Sequence, residues 1–523
     1  MKARVISILL MAYMTAGIAA PGLAQNETKP VLIGPNDRPE DIIRRAAEVV
    51  PSPRQLAWQR VEFAAFIHFG MNTFTDREWG EGKEDPKLFN PTDFDARQWA
   101  LAVRDAGMKM LILTAKHHDG FCLWPSRTTE HSVKNSPWKG GRGDVVREVA
   151  DACREAGIKL GIYVSPWDRH EPSYGDSPAY NEHFKRQLHE LLTNYGEIAD
   201  VWFDGACGEG PNGKRQVYDW AGYWRLIREL QPGATISIMG PDVRWCGNEA
   251  GLTRTSEWSV IPFDEMDDRP VEKDPGGIAG LKAGAPDLGS REAITAVARK
   301  DGRLVWYPAQ VDTSIRPGWF YHAAEDGKVK TLGHLIDVYF GSVGGNSQLL
   351  LNIPPDRRGR LHDNDVERLR EIGRFLKNTF SNNLAAGAKA TASAVRGRDP
   401  KHAAAAAVDG DIESYWCPDD ATTEASLEFE LSGPKAFNTA MLQEQIRVGQ
   451  RIEEFALDIW SGAVWREVAR STTIGYKRLL RFPDVTAAKV RVRILQSRLG
   501  PTLSEFGLYF TPAISGRSSG RSS

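Results

Sequence analysis

Between residues 60 and 240 the apolar positions follow two alternating rhythms. Unbroken runs cover Phe63 to Phe69, Met108 to Lys116, Lys159 to Ser165, Val201 to Phe203 and Thr235 to Met239. Between them, apolar residues recur every three or four positions. Asp93 to Gly107 has Phe94, Trp99, Leu101 and Val103, and Val145 to Gly157, Asn181 to Tyr195 and Trp220 to Leu230 follow suit. Short continuous runs predict strands buried on both faces, and the spaced stretches predict amphipathic helices. Repeated strand–helix alternation predicts a parallel sheet with right-handed crossovers. The runs end in polar or aromatic residues: His68, the His117–His118 pair, Trp167 with Asp168, and Asp204. In a closed barrel all these ends share one face, whereas an open doubly wound sheet scatters them. The expected fold class is therefore α/β, a (β/α)8-like TIM barrel.

Upstream, Pro39 to Val50 reads as a helix closed by Pro51 and Pro53, and Gln55 to Glu62 as a short helix leading into the first strand. Residues 250–305 are rich in Gly, Pro, Asp and charge and read as an irregular excursion. Leu304 to Pro308 and Ser347 to Ile353 resume the strand pattern, and Gly333 to Ser342 and Asp363 to Asn378 the helical one. The barrel is expected to end near residue 380. Beyond it the apolar spacing becomes two: Leu427, Phe429, Leu431; Phe455, Leu457, Ile459; Val490, Val492, Ile494. Alternating strands without helices predict a C-terminal β-sandwich over 381–512. Residues 513–523 form a linker-like tail.

Composition adds three constraints. The chain has 16 Trp against 13 Tyr, a bias that favours flat apolar platforms for sugars as well as core packing. Formal net charge is −2, without a basic stretch for nucleic acid. Lys2 and Arg4, the apolar residues Val5 to Ala20 and the small residues Gly22 and Ala24 read as a signal peptide cleaved after Ala24, with cleavage nearer Ala20 the alternative. No later stretch is long and apolar enough to insert in a membrane. The expected product is exported, periplasmic or secreted. The five cysteines form no CxxC pair, so neither a zinc motif nor a disulfide framework is read.

Carboxylates at strand ends point to the chemistry. Asp204 closes a buried strand, and Glu249 lies in the Gly240-to-Gly251 segment after the fifth strand, with Trp245 near enough to desolvate it. Retaining glycoside hydrolysis uses two carboxyls roughly 5–5.5 Å apart, one as nucleophile and one as acid/base. Glu257 is a rival for the second position. His68, His117 and His118 suit hydrogen bonding to hydroxyls, and they lack the spacing of a metal site. No metal or other cofactor is expected.

Phe66-Ile67-His68-Phe69-Gly70, Glu78-Trp79, His117-His118-Asp119-Gly120-Phe121, Trp202-Phe203-Asp204-Gly205 and Ile315-Arg316-Pro317-Gly318-Trp319-Phe320 together resemble the α-L-fucosidases of glycoside hydrolase family 29. The likeness covers about residues 50–380. It implies a retaining exo-glycosidase with Asp204 as nucleophile. It also implies that His68, Glu78, Trp79, His117, His118 and Tyr163 bind fucose hydroxyls, and that Trp202 and Trp319 shape the apolar side of the sugar. Thr73 to Gly80 and Arg244 to Glu249 are similar to the subgroup specific for α-1,3/1,4-linked fucose, which makes Glu249 the acid/base and Lewis-type fucosylated oligosaccharides or glycoconjugates the partners. A broad-specificity fucosidase and a catalytically silent fucose-binding protein are the alternatives. Gln310 departs from the pattern, where Glu is expected, and an aglycone contact there would shift substrate preference. Residues 385–511 resemble a discoidin-like galactose-binding sandwich through Asn383-Leu384-Ala385, Ala407 to Asp411 and Tyr415-Trp416, with bracing of the barrel favoured over sugar binding.

Overall fold

A computed structural model describes residues 30–263, 287–296 and 302–514. Residues 1–29, which include the expected signal peptide, the tail from 515 onward and the middle of the excursion (264–286 and 297–301) lie outside the described residues. Eight parallel strands form a nearly closed barrel. They are β1 (Phe63–Ile67), β2 (Met110–Lys116), β3 (Lys159–Val164), β4 (Asp200–Phe203), β5 (Thr235–Ile238), β6 (Arg244–Trp245), β7 (Ala309–Ser314) and β8 (Ser347–Asn352). Hydrogen-bonded neighbours run β5-β4-β3-β2-β1-β8-β7-β6, and one parallel bridge, Ser237 to Val243, joins the two ends.

The first half is regular because local chemistry and pattern agree. Helices α1 (Ala96–Asp105), α2 (Val145–Ala156) and α4 (Trp220–Leu230) are each capped by an Asp one residue upstream, Asp95, Asp144 and Asp219, whose side chain accepts a first-turn N–H. Helix α2 stops at Gly157, which takes the left-handed conformation that favours glycine. Helix α3 (Ser177–Asn194) opens with Pro178 in its first turn. All seven side chains of β2 are buried, as a strand covered on both faces requires.

The second half departs from the expected plan. Only residues 239–243 separate β5 from β6, too few for a helix. Strand β6 has two residues, below the length at which periodicity can be read. The run at Leu304 is not a barrel strand. Arg303–Trp306 instead pairs antiparallel with Val31–Leu32 and Val260–Phe263 in a separate sheet. The barrel strand is the next segment, whose polar Gln310, Asp312 and Ser314 mask a buried position. Helices α5 (Leu332–Ser342) and α6 (Asp363–Phe380) flank β8 and complete the wall.

The C-terminal region is an antiparallel sandwich. Its two longest strands, Ala425–Gln443 and Arg478–Ser497, shift register twice along their pairing, and such bulges bend a strand enough to serve both faces of one core. Leu427, Phe429, Leu457, Val490 and Val492 fill that core. Against the barrel, Lys477 pairs with Glu62 at 2.7 Å, Arg481 with Asp337 at 2.7 Å, and Tyr476 N–H donates to Asn346 Oδ1 at 2.7 Å.

Candidate active site

The C-terminal ends of the strands enclose a cavity of about 300 Å³. His68, Glu78, Trp79, His117, His118, Tyr163, Trp202, Asp204, Glu249 and Trp319 all line it, together with Phe66, Ala206 and Asp312. Ten side chains separated by up to 251 positions in sequence (319 − 68) therefore meet on one face of the barrel.

Asp204 follows the last residue of β4, between two hydrogen-bonded neighbours. Tyr163, from β3, donates its hydroxyl to Oδ2 at 3.0 Å, and the Ala206 N–H donates to Oδ1 at 2.7 Å. Burial and the Asp204 charge push the Tyr163 hydroxyl well above its usual range, so it stays a donor. Tyr163 is stacked on Trp202, whose indole N–H donates to Gln310 Oε1 at 2.7 Å. Gln310 in turn donates to Gln348 Oε1 at 2.7 Å. It is buried beneath Trp202 and does not line the cavity, so the condition for an aglycone contact at this position is not met.

Burial favours the neutral form of the three histidines, and their neighbours fix different tautomers. The Asn352 amide donates to Ser314 Oγ and the Trp319 carbonyl, so its Oδ1 accepts from His68 Nδ1–H at 2.7 Å. That leaves His68 Nε2 as an acceptor. The Asn72 amide donates to the Glu78 carbonyl and to His117 Nδ1, so His117 carries its proton on Nε2. Ser165 gives its proton to the Trp167 carbonyl and accepts from His118 Nδ1–H at 2.7 Å. Burial depresses all three rings, His68 to about 4 and His117 well below its ordinary value, where the neighbouring His118 and His68 add to the fall. His118 Nε2 stands 3.8 Å from Asp204 Oδ2. The cavity thus offers a defined set of donors and acceptors to a ring of hydroxyls. Gly120 makes the turn behind the histidine pair. Its φ is +77°, and a Cβ there would lie 2.3 Å from Asp168 Oδ1. Asp168 itself turns away from the cavity to Lys116, at 2.8 Å, while Trp167 packs on His118 and Trp79.

Glu249 lies four residues beyond β6, exposed, and no hydrogen bond or ion pair from the described residues reaches its carboxylate. Trp245 does not bury it as expected. The indole N–H donates instead to Asp312 Oδ1 at 2.8 Å. Glu257, the rival acid, is 1 % exposed and salt-bridged to Arg244, outside the cavity lining. Asp312 is the lining carboxyl that the sequence did not single out. Burial pushes it up to about 7, outweighing the Trp245 hydrogen bond, with the Glu249 and Asp204 charges adding to the rise. Its signal was weak, an Asp in a strand of mixed polarity.

A barrel with carboxylates, neutral imidazoles and indoles converging at the C-terminal ends of its strands defines a carbohydrate-processing site. The alpha-L-fucosidase profile matches residues 68–258 and 290–380, and the F5/8 type C domain profile matches 389–505. Alpha-L-fucosidase 1 of Arabidopsis thaliana is 42% identical over 469 residues, 88% of this chain and 87% of the relative. A glycoside hydrolase 29 family member from an unknown rumen bacterium is 39% identical, covering 89% of this chain and 78% of its own, with a TM-score of 0.73. A Ruminococcus gnavus GH29 fucosidase, solved in complex with fucose, is 33% identical, covering 92% and 99%, with a TM-score of 0.79. The chain belongs to the α-L-fucosidase family of glycoside hydrolases, and its substrates are fucosylated glycans.

Proposed function

We propose that the protein is an exported, retaining exo-α-L-fucosidase that removes α-1,3/1,4-linked fucose from Lewis-type glycans. The observation that carries this reading is the convergence of Asp204, Glu249 and the eight proposed sugar-binding residues on one cavity sized for a single sugar ring. Asp204, held by one donor on each oxygen, attacks the anomeric carbon and forms a fucosyl ester with inversion. Glu249 gives its proton to the departing glycosidic oxygen. It then takes a proton from the water that opens the ester, and the second inversion restores the configuration. The neutral histidines supply the acceptor at His68 Nε2 and the donor at His117 Nε2 for ring hydroxyls. Trp79, 54% exposed at the rim, offers the aglycone a flat face.

Release of fucose from a Lewis-type trisaccharide against an aryl fucoside tests the reading. Preference for the trisaccharide is expected. Equal or better turnover of the aryl fucoside makes the enzyme broad-specificity, and binding of fucose without turnover makes the chain a sugar-binding protein. For export, the mature N-terminus in the native host is expected near Gln25, and an intact Met1 on a cytoplasmic product would refute it.

A further inference from the structure

We infer that His322 is a charged clasp that joins two loops around the sugar cavity and positions Glu78 and Trp319, so that protonation of this imidazole strengthens substrate binding. The inference rests on the cavity being the fucosyl site. His322 lies outside the cavity lining and belongs to the loop after β7. Its Nδ1 is 2.7 Å from Asp76 Oδ1 and its Nε2 is 2.7 Å from Glu78 Oε1. A neutral imidazole has a single N–H and turns a lone pair toward the other carboxylate. Two carboxylates at this distance require both nitrogens to donate. Both carboxylates belong to the loop after β1. Asp76 caps the short helix Met71–Thr75 and Glu78 faces the cavity.

Glu78 also receives the backbone of the opposite loop. Its oxygens accept from the N–H of Trp319 at 3.0 and 3.2 Å and of Phe320 at 3.2 Å. Gly318 admits this approach, since a Cβ there would lie 2.5 Å from Glu78 Oε1. Trp319 packs on His68, and its carbonyl accepts from Asn352, the same residue that sets the His68 tautomer. One carboxylate therefore fixes a cavity wall, and His322 holds that carboxylate.

Burial works against the charge on His322, but Asp76 and Glu78 outweigh it and raise its titration point. The other charged groups in this corner have partners of their own. Glu325 accepts from the Gly318 N–H, Asp326 pairs with Arg316, and Arg77 pairs with Glu81. The protonated form is the clasped form. Affinity is full at low pH and falls as pH rises through the His322 midpoint.

The test is KM and kcat for an aryl fucoside from about pH 5 to about pH 9, the range over which an imidazole near its ordinary value titrates. In the wild type KM has a component that rises with pH through the His322 midpoint, and the cavity carboxyl Asp312, pushed up to about 7, contributes a separate one. His322→Gln is expected to raise KM about tenfold at low pH, the equivalent of one charge-assisted hydrogen bond, and to remove the His322 component, leaving only that of Asp312. His322→Arg keeps the charge at every pH and is expected to hold KM low, with no component at the His322 midpoint. Asp76→Asn is the gentler probe. The residue is exposed, is not in the cavity lining, and sits at φ +58°, which Asn tolerates. It removes one of the two carboxylates, so the KM midpoint should move to lower pH. A wild-type midpoint in Asp76→Asn, or a KM profile in His322→Gln with the same shape as the wild type, overturns the clasp. Asp204→Gly separates this failure from failure of the site itself. If the clasp alone is wrong, Asp204→Gly is inactive and the His322 variants behave as wild type. If the cavity is not the fucosyl site, Asp204→Gly turns over normally.

Discussion

The two carboxylates proposed for catalysis stand on contrasting parts of the barrel. Asp204 follows a four-residue strand paired on both sides and receives a donor on each oxygen. Glu249 follows a two-residue strand and has no polar partner among the described residues. The contrast matches the two tasks. A nucleophile must meet one carbon along one line, so fixed geometry is an advantage. An acid that later acts as a base must serve first a glycosidic oxygen and then a water, and a loop completed by the aglycone can do both.

The largest expected effect breaks the rigid side. Asp204→Gly should lower turnover on the order of 10⁴-fold or more while the fold survives. Azide should restore product as a fucosyl azide of inverted configuration, because it enters from the face the carboxylate leaves empty. Wild-type-like activity would remove Asp204 from the mechanism. Next comes the loop side. Glu249→Ala should lose about 10²–10⁴-fold on Lewis-type sugars and far less on a fucoside with a good leaving group, which needs little protonation. Azide should here give a product of retained configuration. Equal losses on both substrates, with no azide effect, would assign Glu249 to binding.

Two smaller effects test what holds the rigid side. Gln310→Leu leaves the buried Trp202 N–H and Gln348 Oε1 without their partners, and should cost about 1–3 kcal/mol of stability in denaturant titration. An unchanged midpoint would mean that the indole finds another acceptor. Asp200, at the other end of β4, accepts from Trp58, Thr235 and Ser237, yet burial pushes its carboxyl up to about 7. In the unfolded chain it titrates near 4. The folded state holds the extra proton between those values, so the contribution to stability is present below about pH 4 and lost as pH rises through about 7. The melting temperature of the wild type relative to Asp200→Asn should therefore fall as pH rises through this window. A constant difference would place the folded-state titration at its ordinary value.

The first half of the barrel was legible because its strands are apolar runs and each run ends in a recognisable side chain. Sequence order alone brought His68, His117, Tyr163 and Asp204 to one face. The second half was not. Strand β6 is shorter than any period, and β7 alternates Gln310, Asp312 and Ser314 with Val311 and Thr313, so burial there carries no apolar signature. The supporting shell was invisible for another reason. Asn72, His322 and Asn352 act through distances of 2.7–3.3 Å to residues far away in the chain, and no spacing rule encodes them. Trp245 shows the limit most plainly. Proximity in sequence suggested that it buries Glu249, but the strand pairing turns its indole to Asp312.

A second domain invites removal or exchange, as though it were cargo. Here the join argues otherwise. The carbonyl of Glu257 accepts from Asn346 of the barrel and from Gln450 and Thr473 of the sandwich, while the Glu257 carboxylate grips Arg244, the first residue of β6. The shortest strand of the barrel, which leads to Glu249, is thus moored through one residue to a separate domain. The sandwich works as a keystone: exchanging it for another domain would remove two of the three donors that hold the Glu257 carbonyl.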